Sequence, residues 1–159
     1  MRLFFSLLVL FSISGINAQD SEEQKVKNTI NAFFDGFHSK DSVAIRKTVT
    51  DAIQLQTIGK NKEGIESISS VPFDNFLKAI VKIPDSVEFR ELLLSYKIQV
   101  DGSMAHAWTP YEFWRDDCFS HCGVNSFQLF KEGDEWKILS IMDTRRKEDC
   151  HIKYLPKQD

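Results

Sequence analysis

The chain has 159 residues, 42% of them hydrophobic, with 23 acidic against 20 basic side chains and a formal net charge of −3. That balance excludes a nucleic-acid binder, which needs a basic patch against phosphate; the only basic run, Arg145-Arg146-Lys147, is followed at once by Glu148 and Asp149. No repeat, low-complexity tract or interdomain linker interrupts the chain, which excludes a solenoid or a disordered protein.

Met1-Arg2 carries one positive charge, Leu3–Ile13 is almost wholly apolar, and Ile16-Asn17-Ala18 sets a small residue before Gln19. This pattern predicts a secretory signal peptide over residues 1–18. Its apolar run is short for a membrane span, and no Cys follows the cut to take a lipid anchor. The mature protein is therefore expected to be exported, periplasmic or secreted, and free of the membrane. Residues 19–159, about 140 in number, suffice for one domain with its own core.

Val26, Ile30, Phe33, Phe34 and Phe37 recur at helical spacing and predict a first helix over Asp20–Ser39, capped by Asp20 or Ser21. Asp41 or Ser42 then caps a short second helix ending at Lys47. Ala52–Ile58 alternates and predicts a strand. Residues 59–64 form a polar turn, and Ile65–Ile68 fits a short strand or a helical turn. A third helix is predicted over Pro72–Val81, with Phe73, Phe76, Leu77 and Ile80 on its apolar face and Pro near its start.

Four strands follow, near 88–100, 104–116, 120–131 and 135–146, in consecutive antiparallel pairing. Their turns are Val100-Asp101-Gly102-Ser103, Asp116-Asp117-Cys118 and Glu132-Gly133-Asp134-Glu135. Helices followed by a meander predict an α+β domain: three helices packed on one face of a strongly curved antiparallel sheet, a cone able to hold a pocket. A two-residue turn at Gly133-Asp134 sets Leu129 opposite Ile138 and Phe127 opposite Ser140. The same logic at Asp116-Asp117 places Trp108, Glu112 and Trp114 with His121 and Asn125 on the concave face.

An odd cysteine count in an exported chain suggests one disulfide and one free thiol. Cys122 in the third strand and Cys150 just past the fourth are the expected pair, leaving Cys118 in the turn. A Cys118–Cys122 bridge, which would close a very small loop, three free thiols, and a zinc site at Cys-x3-Cys with His121 are the alternatives; the last lacks an obvious fourth ligand. No metal and no cofactor is expected.

The order of helix, short helix, strand, helix and four long strands resembles the nuclear transport factor 2-like superfamily. Ala105–Phe113 is similar to its central strand. Ser120–Leu129, Trp136-Lys137-Ile138 and Asp143-Thr144-Arg145-Arg146 resemble the small exported bacterial members of SnoaL-like or lumazine-binding-like type. The resemblance spans about Ser21 to Cys150 and implies a cystatin-like cone. Isomerases, dehydratases and non-catalytic binders share that fold, so it implies no single activity. Enzymes of the superfamily use an Asp or an Asp–His pair in the cone, but their motifs are not matched here.

Candidate proton-transfer residues are Glu112, His121 and Asp143. Glu112 beside His121 would orient the imidazole and raise its pKa. Asp143 and Arg145 share a face of the last strand, expected opposite Trp136, where they could pair, bind an anion or meet a second copy in a homodimer. The expected ligand-binding residues are Trp108, Tyr111, Glu112, His121, Asn125 and Phe127, in a cavity bounded by Phe33 or Phe37, Phe76, Trp108 and Phe127. Such a pocket suits a small apolar or aromatic ligand. The leading expectation is a non-catalytic small-molecule binder. The second is a lyase or isomerase with a pocket Asp, Glu or His as base, and the third an interaction module without ligand.

Overall fold

The computed structural model describes residues 16–150, with side chains from Glu22 onward. Most of the expected signal segment, residues 1–15, lies outside the described residues. Helix α1 spans Ile16–His38. It begins before Asp20 and Ser21, which therefore sit inside it and do not cap it. Its stripe of Val26, Ile30, Phe33, Phe34 and Phe37 is buried as the spacing requires. Helix α2 (Ser42–Lys47) is capped by Asp41, whose Oδ1 accepts the Val43 and Ala44 amides at 2.9 and 3.0 Å. Strands β1 (Val49–Lys60) and β2 (Glu66–Val71) form a hairpin, so the segment after the polar turn is a strand. Helix α3 (Phe73–Ile80) follows Pro72, which fixes the backbone at its start without a side-chain cap.

The C-terminal part contains β3 (Phe89–Leu93), β4 (Lys97–Asp101), β5 (Met104–Arg115), β6 (Cys118–Glu132) and β7 (Glu135–Thr144). The sheet order is β2-β1-β7-β6-β5-β3, with β4 also on β5. The meander is antiparallel throughout, while β1 joins β7 in parallel, so the sheet is mixed. The strand expected over 88–100 is two strands. Leu94 donates its amide to the Pro110 carbonyl at 2.8 Å, which shows that Pro110 faces the β3–β4 side. Proline has no N–H to return on that side. The ladder fails there, and Ser95-Tyr96 leaves the sheet so that the Tyr96 hydroxyl reaches Asn31 Oδ1 at 2.5 Å.

Two bulges correct the expected map of faces. At the Asp116-Asp117 turn, both residues have positive φ, and Arg115 pairs with Cys118 and Trp114 with Phe119. Ser120 is then an extra residue, because the next pair is Phe113 with His121. His121 therefore opposes Phe113 and not Glu112. In β7, Leu129 opposes Ile138 as expected, but Leu139 is extra and Phe127 meets Ile141 instead of Ser140. Asp143 and Arg145 consequently share the concave side with Trp136. Among the described residues, the core lies between α1, α3 and the concave face, and Phe127, Ile138 and Leu129 at its centre are almost wholly inaccessible. Truncating Phe127 to Ala would cost about 3–5 kcal/mol by lost transfer energy and cavity formation.

Cys122 and Cys150 form a disulfide with Cα atoms 5.9 Å apart, and Cys118 is free and exposed. The bridge fastens the chain beyond β7 to the outer face of β6, where Arg146 also exchanges both backbone hydrogen bonds with Cys122.

Candidate functional site

The cone holds a cavity of about 120 Å³. Its apolar wall comes from Phe33, Phe34 and Phe37 of α1 and Phe76 of α3, with Leu55 and Ile141 from the sheet. The Phe76 ring lies nearly parallel to those of Phe33 and Phe37, at centroid distances of 6.3 and 5.9 Å. Its polar end is made by Glu91, Asn125, Asp143 and Arg145, with Thr57 beside them.

Each polar residue arrives through the register. Glu91 shares parity with buried Phe89 on β3 and points inward. Asn125 stands opposite Asp143 across β6 and β7, and the Leu139 bulge turns Asp143 inward. Asp143 is thoroughly satisfied. Thr57 Oγ1 donates to its Oδ1 at 2.5 Å, while Arg145 Nε and the Tyr111 hydroxyl reach Oδ2 at 2.8 and 3.3 Å. Tyr111 also reaches the Thr144 carbonyl at 3.0 Å. That approach needs Gly123 between them: a Cβ there would stand 1.8 Å from the Thr144 oxygen and 2.8 Å from the Tyr111 ring.

Glu91 differs. Among the described residues, its carboxylate has one partner, Asn125 Nδ2, 2.6 Å from Oε1. Burial, with the Asp143 charge adding, outweighs the Asn125 hydrogen bond and Arg145, and pushes the Glu91 carboxyl up to about 7. From α1, His38 Nε2 accepts the Glu91 amide at 2.9 Å, which requires an unprotonated nitrogen there; burial lowers the His38 pKa accordingly. Burial, aided by Glu91 and Asp143, raises the Tyr111 hydroxyl pKa, so it stays a donor.

Of the expected site residues, Asn125 and Asp143 line the cavity. Tyr111 stands behind Asp143, and Phe127 stands behind Phe34 with ring centroids 6.2 Å apart. His121 is on the concave side but at the rim. Its ring stacks on Phe113 at 4.8 Å and lines a separate 470 Å³ surface cleft with Lys60, Arg145, Arg146 and Lys147. Burial, then Arg145 and Lys147, pull its pKa to about 4, so it is neutral at neutral pH. Trp108 and Glu112 lie on the outer face, because the Ser120 bulge puts β5 and β6 out of the expected phase. Trp108 is 43% exposed. Glu112 is buried and accepts Trp114 Nε1 at 3.1 Å. The expected Glu112–His121 pair therefore does not form.

Glu91, Thr57 and Arg145 are additions to the expected site. Parity with Phe89 is the sequence signal that points to Glu91. Among the described residues, no group of three His, Cys, Asp or Glu side chains could hold a metal ion.

No protein-family model matches the chain, and no curated protein does either. Solved structures do resemble it. A protein of unknown function from Mycobacterium tuberculosis superposes with a TM-score of 0.68 at 12% identity, covering 86% of this chain and 78% of that one. A cystatin-like protein of unknown function from Nostoc punctiforme gives 0.63 at 12% identity, with 86% and 95% coverage. A candidate dehydratase of the NTF2-like family from Streptomyces avermitilis gives 0.62 at 14% identity, with 80% and 97% coverage. The fold is thus the nuclear transport factor 2-like, cystatin-like α+β cone. At these identities the likeness establishes fold alone.

Proposed function

We propose that this chain is an exported small-molecule-binding protein whose ligand sits in the cone between the helices and the sheet. The carrying observation is the cavity: phenyl rings around most of a void, with polar groups gathered at one end. Its 120 Å³ is well below the several hundred Å³ typical of drug-sized ligands and near a cavity that takes up benzene. One ring, or a group of that bulk, is the part that enters. Native mass spectrometry of protein purified from its source tests the reading. The expected result is a small bound molecule, lost in a Leu55→Trp variant whose indole fills the void. Protein that carries nothing and takes up neither toluene nor benzyl alcohol overturns it.

A second reading, proton transfer of lyase or isomerase type, is favoured by one observation: Glu91 faces the void with a carboxyl near 7, suited to general acid–base work at neutral pH. One fold neighbour is a candidate dehydratase. Under this reading Glu91 takes the role expected of Glu112 or Asp143, and turnover would vanish in Glu91→Gln while ligand retention persists.

The outer face supports the homodimer. Met104 and Phe130 are cross-strand partners there, and with Trp108 they are exposed. Sedimentation of Trp108→Lys beside the wild type tests it: a wild type that is already monomeric counts against the dimer.

A further inference from the structure

Four groups gather at the polar end, and each makes at least one hydrogen bond within the protein. Asp143 is held by Thr57, Tyr111 and Arg145. Arg145 is committed through Nε to Asp143 at 2.8 Å. Asn125 Nδ2 is on Glu91. Of the oxygens of the two carboxylates, Glu91 Oε2 alone has no partner among the described residues, and Glu91 lines the void. Two carboxylates and one guanidinium face that space, so with Glu91 ionised its polar end carries one negative charge in excess. Much of the remaining wall is the phenyl rings of Phe33, Phe34, Phe37 and Phe76, with Leu55 and Ile141 beside them; ring faces attract cations and reject anions. A carboxylate partly withdrawn from water beside such rings is stabilised further by a proton or a cationic partner.

Building on the small-molecule reading above, we infer that the ligand of the cone is an organic cation about one ring in size, an amine or protonated nitrogen heterocycle whose N–H meets Glu91 Oε2 while its apolar body lies among Phe33, Phe37 and Phe76. Gln56 and Thr57 also line the wall, but neither carries a charge to hold a cation. Arg145 is drawn toward Asp143, and its repulsion of a cation is offset there.

Benzylamine and its neutral isostere benzyl alcohol separate the possibilities, with toluene as apolar control. Binding of each to the oxidised full-length protein is followed by NMR of the cone amides at fixed ionic strength. The expected result is at least tenfold tighter binding of benzylamine at pH 8. That preference should fall as pH drops below 7, and Glu91→Gln should remove it while toluene binding stays unchanged. The charged groups around Glu91 in that window are Asp143 from β7, Arg145 just past its end and Arg90 on the same strand as Glu91; His38 of α1, its pKa lowered by burial, faces it as a neutral ring. His38→Gln should leave the benzylamine preference in place. Equal binding of amine and alcohol, or an amine preference that survives Glu91→Gln, overturns the inference even though the cone binds. Stronger alcohol binding at low pH overturns it in favour of a protonated Glu91 that donates to a neutral ligand. If no probe enters, the small-molecule reading itself fails.

Discussion

Asn125 and Asp143 stand directly opposite one another across β6 and β7, yet they make no side-chain hydrogen bond to each other: Asn125 holds the Glu91 carboxylate, and Asp143 is itself held by Arg145. The cone thus has one carboxylate fixed by three neighbours and a second left facing the void. Neutralising either should have opposite consequences for stability.

Glu91 has a carboxyl raised from an ordinary 4.5 to about 7. Between those values the folded protein holds the proton more tightly than the unfolded chain does, so this group's contribution is fully present below 4.5 and is lost as pH rises through 7. The loss amounts to about 2 kcal/mol, allowing for partial solvent access. His121 and His38, whose pKa values are lowered, act in the reverse sense: their contribution falls as pH drops below the ordinary histidine range. The difference between wild type and Glu91→Gln cancels the histidines. Urea unfolding should find Glu91→Gln gaining relative stability steadily from pH 5 to pH 8, by about 2 kcal/mol. A difference that does not vary with pH would contradict the assignment.

Removing Asp143 should cost more than removing Arg145. Asp143→Ala strips an acceptor from Thr57, Tyr111 and Arg145 together and should destabilise by about 3 kcal/mol. The Arg145 side chain is 57% exposed, and its loss should cost within about 1 kcal/mol. Arg145→Ala should also raise the Glu91 pKa further, since the guanidinium favours the ionised form. Equilibrium unfolding of the two variants, and carboxyl titration of Glu91 by NMR, provide the check. Equal losses would mean that Asp143 matters only as a partner for Arg145.

Gly123 is expected to tolerate no side chain. A Cβ there would meet the Thr144 backbone oxygen at 1.8 Å, and backbone cannot swing aside. Gly123→Ala should destabilise by about 3 kcal/mol or more through forced separation of β6 from the end of β7. Gly59→Ala is the control: its Cβ would lie 3.7 Å from the Arg145 carbonyl, an ordinary contact, and should cost no more than about 1 kcal/mol. Thermal melts of the pair read the contrast directly.

The elements were legible because their signals are local: the α1 phenylalanine stripe, the Asp41 cap and the Gly133 turn each act within a few residues. The meander and the Cys122–Cys150 bridge followed from the same signals. The faces were not legible past Ser120 and Leu139. A bulge inserts one residue without marking it in composition, and every side chain beyond it changes side. Trp108, Glu112, Asp143 and Arg145 were displaced from their expected positions by that alone. Glu91 escaped notice for a different reason. Next to Arg90 it reads as a solvated charge, and only the tertiary fold turns it into the cone.

The interruption of the ladder at Pro110 bears on how the cone could open. Residues Phe89–Leu93 form a short rim segment joined to the rest of the sheet along β5 alone, and the break frees them from following β4 when they part from it. Such a segment can detach at lower cost than the interior of the sheet. It also carries Glu91, so each detachment would withdraw that carboxyl and its Asn125 partner from contact. Amide protons of β3 should accordingly exchange with solvent ahead of those of β6, and a bound guest that grips Glu91 should slow them selectively.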